Sequence, residues 1–432
     1  MITYEELIDR LKSSESHIVV DSRLVKEGSI FIALPGRKTD GHMFVNDAFA
    51  RGAELAVVEK PGDYSGPVLV VENTYRFLLD AGKKIFELNR PFTIAITGSN
   101  GKTTTKELTA LFLESAGLKV FKTHGNYNTD VGVPLSILNQ YKGQRYSVLE
   151  FGVSQPGDMD RLCSIVKPDI GVVLKVGSAH LGNFPSSEAL LREKLGLLKH
   201  SQLKVVHSDL IKYLDDFDVS FGPHGDVRLL ELSWQNGKTH ARFRVFSEDV
   251  WMELPGIWHE GMLENLSAAI SAVKLAGIDP NFEVLEDFTF PPRRFQFHHV
   301  RGITVVDDTY NSSLESIEVS VKCLQEMKKN GLYAVVGIIL EQGWNALNAH
   351  GELGKLLKAF DGVLVYGSQE MPEVQVIVRN LGEKLIGVFD SKERLVAELL
   401  NELKTNDIVY FKASRGVRLD EVVDCFMEEL NK

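Results

Sequence analysis

A glycine-rich turn between a strand pattern and a helix pattern constrains the fold of this chain more than any other feature. The turn lies in TIAITGSNGKTTTKE, residues 93–107. IAIT before it predicts a strand, and TKELTALFLESAG after it has the apolar spacing of an amphipathic helix that ends at Gly. Strand, glycine turn and helix in this order predict an α/β unit with a phosphate-binding loop, because the loop N–H groups and the helix N-terminus then face a phosphate.

The loop lacks the first glycine of the standard pattern G-x-x-x-x-G-K-[ST], because Ile96 stands in its place. The shorter G-x-x-G-K-T pattern still predicts nucleotide binding, since Lys102 can reach the terminal phosphates and the Thr103 hydroxyl can bind Mg²⁺. The alternative is a glycine turn in a protein that binds no nucleotide. The residues predicted to hold the nucleotide phosphates are Gly98, Asn100, Gly101, Lys102, Thr103 and Thr104.

The length of 432 residues predicts about three domains. Residues 1–90 contain apolar strand runs and a helix–Gly–strand pattern, which predict a small α/β domain. Residues 91–292 alternate strands with helices, which predicts a mostly parallel sheet with helices on both faces. The two prolines of FPPRRF indicate a linker. Residues 293–432 repeat the strand–helix alternation and predict a Rossmann-like domain.

Composition argues against several classes of protein. No run of about 18 uncharged apolar residues occurs, so the sequence predicts no membrane span. The first residues, MITYEELIDRLKSS, carry charges where a signal peptide needs an apolar run, which favours the cytoplasm. The net charge of −11 disfavours non-specific nucleic-acid binding. Cys163, Cys323 and Cys425 lie too far apart for a metal-type spacing, and we expect buried small apolar residues rather than disulfides.

Three ionisable residues after the loop are candidates for a site around a triphosphate. Glu150 ends the strand pattern YSVLE at the sheet edge where open α/β sheets bind ligands, and a carboxylate there suits Mg²⁺. His180 follows the strand pattern DIGVVLKVG and could approach the same metal. Lys194 lies in the helix pattern SEALLREKLGLLKH. The alternatives are a solvated glutamate, a structural histidine and an ordinary surface lysine.

The last domain begins with VVDDTYNSS, which places acidic residues directly after an apolar strand. Asp308 would then lie at the ligand edge of a Rossmann-like sheet, where a carboxylate commonly binds ribose hydroxyls. The alternative is a helix N-cap. Both are compatible if Asp308 faces the ligand and Ser312 or Ser313 caps the helix.

These motifs and their order resemble the Mur ligases, the ATP-dependent amide ligases of cell-wall precursor synthesis. The resemblance covers nearly the whole chain, and the order of the motifs over three domains is more specific than any single one. The matching stretches are DSRLVKEGSIFIALPGRKTDGHMFV, TGSNGKTTTKE, THGNYNTDVGVPLSIL, EFGVSQPGDM, KPDIGVVLKVGSAHLGNF, DDTYNSS, GIILEQG followed by His350, and KASRGVRLDEVV.

The resemblance implies a catalytic centre around ATP and two Mg²⁺ sites. Lys102 and Thr103 would hold the phosphates and one metal, and Glu150 and His180 would be metal ligands. Lys194 matches the family lysine that reacts with CO₂, so N6-carboxylysine is expected there as an anionic oxygen ligand near Mg²⁺. The catalytic residues that the resemblance implies are Lys102, Glu150, His180 and Lys194.

The resemblance also implies contacts to ATP and to two further substrates. Asn265 would contact adenine, Arg294 the phosphates and Asp308 the ribose. The sequence departs from the family near Asn265, because His259 is displaced from the His-Asn pair that usually precedes that residue. The substrate-binding residues that the resemblance implies are Ser22, Arg23, His42, Asn126, Asn128, Tyr310, Asn311, Lys412 and Ser414.

The activity that the resemblance implies is ATP-dependent amide formation. ATP would phosphorylate the terminal carboxylate of UDP-N-acetylmuramoyl-tripeptide, and the amine of D-alanyl-D-alanine would attack the acyl phosphate. We expect a monomer with small-molecule substrates and no nucleic-acid partner.

Four alternatives are weighed against this activity. A sister ligase that adds the third peptide residue usually carries an Asp-Asn-Pro-Arg signature, which this sequence lacks. A folylpolyglutamate synthetase-like ligase is disfavoured by the DSR…DGH stretch, which resembles the UDP-binding domain. A nucleotide-dependent switch or motor would use the phosphate loop without an acceptor substrate. An inactive homologue is disfavoured because the candidate phosphate and metal ligands are all retained.

Overall fold

The computed structural model describes residues 4–13, 17–36 and 39–432. In these residues the strands form three separate sheets of four, nine and six strands, which follow one another along the chain. We name the elements around them the first unit (4–87), the central unit (92–287) and the third unit (296–431), and we count with the third unit the segment 293–295, which leads into its first strand and bonds to Asp307 and Asp308. The domain boundaries at 90/91 and 292/293 stay predictions.

The first unit is a parallel sheet with helices beside it. Its strands are β1 Ile18–Val19, β2 Ser29–Ile32, β3 Ala53–Val58 and β4 Val68–Val70, and its helices are α1 Tyr4–Ser13, α2 Val45–Ala50 and α3 Thr74–Glu87. The strand order is β1-β2-β3-β4. Strand β2 is buried along its whole length. Helix α3 begins where the Asn73 side chain accepts the Arg76 N–H at 2.7 Å, which satisfies one free donor of the first turn.

The central unit contains the predicted mostly parallel sheet. Its strands are β5 Phe92–Thr97, β6 Val120–Lys122, β7 Tyr146–Glu150, β8 Ile170–Val173, β9 Leu203–His207, β10 Val219–Phe221, β11 Val227–Gln235, β12 Lys238–Val245 and β13 Glu248–Pro255. Its helices are α4 Lys102–Ser115, α5 Gly132–Gln140, α6 Asp158–Ile165, α7 Ser187–His200 and α8 Glu260–Leu275. The order is β13-β12-β11-β10-β9-β8-β5-β7-β6. Strands β5 to β9 are parallel, so their carboxyl ends share one edge of the sheet.

Three antiparallel strands at one side of the central sheet were not predicted. Strands β11, β12 and β13 form a meander, and β12 alternates between buried and partly exposed residues. The β11–β12 turn is Asn236-Gly237, with φ of 53° and 74°. An Asn-Gly pair between alternating runs is a strong hairpin signal, so this element could have been found in the sequence.

The third unit is a six-stranded sheet that matches the predicted strand–helix alternation. Its strands are β14 Gln296–Val300, β15 Ile303–Asp307, β16 Leu332–Val336, β17 Gly362–Tyr366, β18 Leu385–Phe389 and β19 Ile408–Lys412. Its helices are α9 Leu314–Met327, α10 Ala346–Leu356, α11 Pro372–Leu381, α12 Lys392–Glu402 and α13 Asp420–Asn431. The order is β14-β15-β19-β16-β17-β18, and only the β14–β15 pair is antiparallel. Ser313 caps α9 in a reciprocal capping box with Ser316, so its predicted capping role is confirmed.

Strand β5 is buried on both faces. Ile94 and Ile96 pack into a core with α4, α8 and residues of the third unit, whereas Ala95 packs into a core with residues of the first unit. This alternation follows from the period of two along a strand. Apolar packing on both faces of the central sheet therefore fixes the strand that carries the phosphate loop.

Two composition-based expectations can be compared with the structure. No helix among the described residues is long and apolar enough to cross a membrane. All three cysteines are free thiols, and Cys163 and Cys323 are buried as expected. The expectation was wrong for Cys425, which is only half-buried because it lies beside the buried stripe of the surface helix α13.

We predict that Gly237→Ala lowers the free energy of unfolding by about 1 kcal/mol, because a side chain is strained at positive φ. A Cβ at Gly237 would meet no atom within 4 Å, so the effect is confined to the backbone. Urea denaturation of the full chain measures it.

The matched control is Gly351→Ala in helix α10, where the nearest atom to the new Cβ is Val376 Cγ1 at 3.5 Å. Alanine there should raise the free energy of unfolding by up to about 1 kcal/mol through its helix propensity. An equal loss of stability in both variants would contradict the interpretation of the hairpin turn.

Candidate active site

A cavity of about 670 Å³ opens between the central and third units at the carboxyl edge of the central sheet. All of its lining residues lie between Ser99 and Gly416, so the described part of the first unit contributes none. The cavity brings together most of the residues predicted from the sequence. Those that line it are Asn100, Gly101, Lys102, Thr103, Thr104, Asn126, Asn128, Glu150, His180, Asn265, Arg294, Asp308, Tyr310, Asn311, Lys412 and Ser414.

The phosphate loop joins β5 to α4, as predicted. Gly101 has a φ of 82° and immediately precedes the first residue of α4. A Cβ at Gly101 would lie 1.9 Å from Asn265 Oδ1, so only glycine allows helix α8 to approach the loop this closely. Asn265 therefore packs against the loop, and its predicted contact with adenine stays a prediction.

Lys102 lies over the phosphate loop. Its ammonium donates hydrogen bonds to the carbonyl oxygens of Gly98 at 2.9 Å and Ser99 at 3.1 Å. Burial lowers the pKa of Lys102, and the nearby Glu150 carboxylate opposes that shift. The loop N–H groups, the N-terminus of α4 and this ammonium together favour a bound polyanion.

The Thr103 hydroxyl links the loop to the sheet and to the third unit. It donates to Glu150 Oε2 at 2.8 Å and accepts from Arg294 Nη2 at 3.1 Å. The other carboxylate oxygen, Glu150 Oε1, accepts from Asn128 Nδ2 at 2.6 Å. Glu150 is only 2% exposed, so the solvated-glutamate alternative is wrong.

Lys194 on α7 is fully buried, so it is not an ordinary surface lysine. Its ammonium nitrogen donates to the Gly98 carbonyl at 3.2 Å, which places it behind the phosphate loop. Burial, and next the positive charge of Lys102, hold the pKa of Lys194 well below its usual range. A lower pKa increases the fraction of neutral amine at a given pH, and a neutral amine can act as a nucleophile.

His180 contacts the third unit. It has a left-handed backbone with a φ of 64°, and its Nδ1 lies 2.5 Å from Glu341 Oε2. This close contact with the imidazole lowers the pKa of the Glu341 carboxyl. Both side chains line the cavity, and the role of His180 as a metal ligand stays a prediction.

Two docking segments, residues 178–184 and 338–344, hold the third unit on the central unit. The Gly182 N–H donates to the Glu341 carbonyl at 2.9 Å, and the Trp344 indole N–H donates to the Phe184 carbonyl at 3.1 Å. A Cβ at Gly182 would lie 2.5 Å from the backbone nitrogen of Gly343, so the two segments meet at glycines. The third unit is thus docked directly on the central unit, with the cavity between them.

Asp308 and Lys412 form a buried ion pair at the ends of β15 and β19. Lys412 Nζ lies 2.6 Å from Asp308 Oδ2, which also accepts from the Tyr410 hydroxyl at 3.0 Å. Burial lowers the pKa of Lys412, and the Asp308 carboxylate opposes the shift. Ser414 accepts the Leu340 N–H at 2.9 Å. The predicted contacts of Asp308 with ribose and of Lys412 with the amine substrate stay predictions.

The third unit also brings a cationic group to the phosphate loop. The Arg294 guanidinium lies 4.0 Å from the Tyr310 ring centroid, and Arg415 lies over the same ring at 5.6 Å. Asn100 Nδ2 donates to Ser313 Oγ at 2.9 Å across the cavity. Tyr310 thus stacks with two arginines while the loop bonds directly to the third unit.

Ser22, Arg23 and His42 lie outside this cavity, in the first unit. Asp21 caps a 3₁₀ turn at Ser22–Leu24 and forms an ion pair with Arg23 at 2.6 Å. His42 Nδ1 lies 2.7 Å from Asp40, and its Nε2 accepts the Glu59 N–H at 2.9 Å. All three residues lie in the first unit, and their binding of a uridine diphosphate stays a prediction.

The residues around Thr103 fit Mg²⁺ bound together with a nucleotide. In the described ranges, no group of three or more His, Cys, Asp or Glu side chains could hold a metal ion. Mg²⁺ usually binds through one or two carboxylates, substrate phosphates and water. One buried carboxylate, Glu150, beside a hydroxyl and a phosphate loop suits that mode and does not suit a metal cage made by protein alone.

Glu341 and His259 are among the residues of the cavity wall that sequence reasoning did not identify as site residues. Glu341 ends the GIILE run after β16, so the rule that ligands bind at strand ends could have found it. His259, identified only as a displaced family histidine, caps α8 by accepting the Met262 N–H. Burial lowers the pKa of His259 to about 3, so its ring is neutral.

Three family models match the chain in the order of its three sheets. The catalytic domain of the Mur ligase family matches residues 16–78, the Mur ligase middle domain matches residues 96–244, and the Mur ligase glutamate ligase domain matches residues 293–415. The matched ranges include the phosphate loop, Glu150, Lys194 and Arg294.

Individual relatives match over almost the full length. The UDP-N-acetylmuramoyl-tripeptide–D-alanyl-D-alanine ligase of Bacillus subtilis is 27% identical over 430 residues, which cover 95% of this chain and 93% of that protein. The crystal structure of MurF from Acinetobacter baumannii is 28% identical, with a TM-score of 0.85, and the match covers 95% of this chain and 93% of that one. The MurF ligase of Thermotoga maritima, solved in complex with ADP, is 35% identical, with a TM-score of 0.88, over 98% of this chain and 99% of that one. On this identity and coverage, the chain belongs to the Mur ligase family.

Proposed function

We propose that this chain is an ATP-dependent ligase that joins D-alanyl-D-alanine to UDP-N-acetylmuramoyl-tripeptide in peptidoglycan precursor synthesis. The observation that carries the proposal is the junction at Thr103, where the phosphate loop, the buried Glu150 and Arg294 from the third unit meet at one cavity. The full-length relatives named for this reaction support the choice of substrates.

Amide formation from a carboxylate requires activation, because an amine cannot displace oxide. Transfer of the terminal phosphoryl group of ATP to the tripeptide carboxylate gives an acyl phosphate. The amine of D-alanyl-D-alanine then forms the C–N bond, the C–O bond to phosphate breaks, and inorganic phosphate leaves with the electron pair. The protein mainly has to position the reactants and neutralise charge.

The chain supplies positive charge from two sides of the transferred group. Lys102 and the loop N–H groups face it from the central unit, and Arg294 faces it from the third unit. Because Arg294 also stacks on Tyr310, its guanidinium is fixed before the nucleotide binds. Preorganised charges of this kind are worth most in a site that excludes water.

Thr103, Glu150, His180 and a carbamate on Lys194 are the groups that would hold two Mg²⁺ ions. Bound metal would neutralise the phosphate oxygens in the transition state. The depressed pKa of Lys194 supports carbamate formation, because only a neutral amine attacks CO₂. The product is anionic, so the buried amine near Lys102 becomes an oxygen ligand.

The other substrates would occupy the two ends of the site. Asn126 and Asn128 lie on the cavity wall next to Glu150 and suit the sugar-peptide, while Ser22, Arg23 and His42 would hold the uridine diphosphate. Tyr310, Asn311, Lys412 and Ser414 line the third-unit wall, from which the amine substrate would approach. We propose a monomer that acts in the cytoplasm, where ATP is available.

The first prediction from this proposed function concerns the substrates. Phosphate release from ATP and Mg²⁺ should require both UDP-N-acetylmuramoyl-tripeptide and D-alanyl-D-alanine, and the pentapeptide product should be found by mass spectrometry. Omission of either substrate is the control. Release with single amino acids or with a folate substrate would indicate a sister ligase, whereas release without any acceptor would indicate a nucleotide switch.

The second prediction concerns the buried lysine. Lys194→Ala should lower kcat about 100-fold, because the site loses an anionic ligand. Acetate should restore part of the activity by supplying carboxylate oxygens. Wild-type activity should fall in CO₂-free buffer and return with bicarbonate. It should also fall as pH drops, because protonation of the amine favours loss of CO₂.

The control for Lys194→Ala is Lys199→Ala, which removes an exposed lysine from the last turn of the same helix. It should leave kcat and the response to bicarbonate unchanged. An active Lys194→Ala enzyme, or a wild type that does not respond to bicarbonate, would rule out the carbamate while leaving the ligase reaction intact.

A further inference from the structure

His207, the last residue of β9, has a buried hydrogen-bond donor that no described residue accepts. The residue is 1% exposed, and its Nδ1 accepts the Asp209 N–H at 3.2 Å. In a neutral ring the proton is therefore assigned to Nε2. Nε2 has no hydrogen-bond partner in the described part of the chain, and the nearest carboxylate oxygen, Glu264 Oε2, lies 3.6 Å away.

The His207 ring is held in place on the cavity wall. It makes an edge-to-face contact with Phe221, with 5.3 Å between the ring centroids. Gly222 has a φ of 95°, and a Cβ there would lie 2.8 Å from Nε2, so this glycine leaves room for the ring. His207, Phe221, Pro223 and Glu264 all line the cavity. The free donor is thus fixed beside the space that a ligand would occupy.

The position of His207 relative to the phosphate loop suits one part of a nucleotide. Strand β9 is separated from β5 by β8 alone, so its end lies about 10 Å across the sheet from the loop. Glu264 precedes Asn265, which packs against Gly101 of the loop. The cavity wall therefore extends from the N–H groups of the phosphate loop to the His207–Glu264 pair. A nucleotide with its phosphates on the loop could place its base beside that pair.

The pair is chemically complementary to adenine. It offers a donor, His207 Nε2–H, beside an acceptor, the Glu264 carboxylate. Adenine presents the opposite order, with an acceptor ring nitrogen beside its donor amino group. Phe221 and Pro223 supply apolar contact, as expected for a base pocket. A buried donor without an acceptor destabilises the free protein, and a ligand acceptor can remove that cost.

We propose that His207 and Glu264 recognise the amino edge of the adenine base of ATP, with His207 Nε2 donating to a ring nitrogen and Glu264 accepting from the amino group. This inference rests on the proposed use of ATP and extends it to the residues that select the base. Asn265 packs against Gly101 on the side of this pocket that is nearer the phosphate loop.

Calorimetry on the full chain tests the proposal with two ligands, ADP and inorganic tripolyphosphate, which has no base. His207→Phe keeps an aromatic ring but removes the donor. It should weaken ADP binding about tenfold or more, because one buried hydrogen bond is lost. Tripolyphosphate binding should change by less than about twofold, since the site is distant from the loop. His207→Gln, which can retain a donor at this position, should recover most of the ADP affinity.

Base analogues identify the contacted atom. In the wild type, either 1-deaza-ATP or 7-deaza-ATP should bind more weakly than ATP, because its ring lacks the acceptor. That penalty should disappear in His207→Phe, where the donor is already absent. Glu264→Met, which removes the acceptor oxygens, should instead reduce the preference for ATP over the analogue that lacks the amino group.

Several outcomes would overturn the inference. Equal weakening of ADP and tripolyphosphate would make His207 a structural residue. Unchanged ADP binding in His207→Phe would exclude the contact, and weakened binding with no effect of either deaza analogue would assign it to the ribose. If His207→Phe does not fold, a wild type insensitive to both deaza analogues would equally exclude a contact to the base. Failure of the wild type to bind ADP would instead contradict the proposed ligase itself.

Discussion

The hydrogen bonds of the Thr103 hydroxyl connect the parts of the molecule on which the active site depends. The hydroxyl donates to Glu150 of the central sheet and accepts from Arg294 of the third unit. Its position is set by Gly101, which α8 approaches through Asn265. One side chain therefore connects the phosphate loop, the carboxyl edge of the central sheet and the third unit. A displacement of the third unit would break the Arg294 contact.

Backbone contacts, as well as charged side chains, hold the third unit on the central unit. The docking segments meet at Gly182 and Gly343, and the Trp344 indole donates to a central-unit carbonyl. These contacts do not involve the phosphate loop, so the closed arrangement has support of its own. A nucleotide would add the attraction between its phosphates and Arg294. Closure and nucleotide binding should therefore stabilise each other, as expected for a site assembled between two units.

Local sequence rules predicted the elements but not the pairing between distant residues. The phosphate loop, the strand-end position of Glu150 and the Ser313 cap follow from short patterns and were predictable. Arg294 lies 191 positions from Thr103, and Asn100 lies 213 positions from Ser313. Those contacts depend on how the third unit packs against the central unit. The spacing of apolar residues, which predicts helices and strands, carries no information about that packing. The β11–β13 meander, in contrast, was missed although the Asn-Gly turn indicated it.

The buried polar atoms that lack a protein partner are concentrated at the cavity. In the described ranges they include His207 Nε2, Arg294 Nε, Ser312 Oγ and Gln342 Oε1, and all four residues line it. Each unmade hydrogen bond costs about 1–3 kcal/mol, so their clustering opposes stability at one place. Lys194, a buried amine close to another lysine, adds to that cost. This loss of stability is explained if bound ligands supply the missing hydrogen-bond partners. Polar groups that are already in place before binding need no reorganisation when the reaction begins.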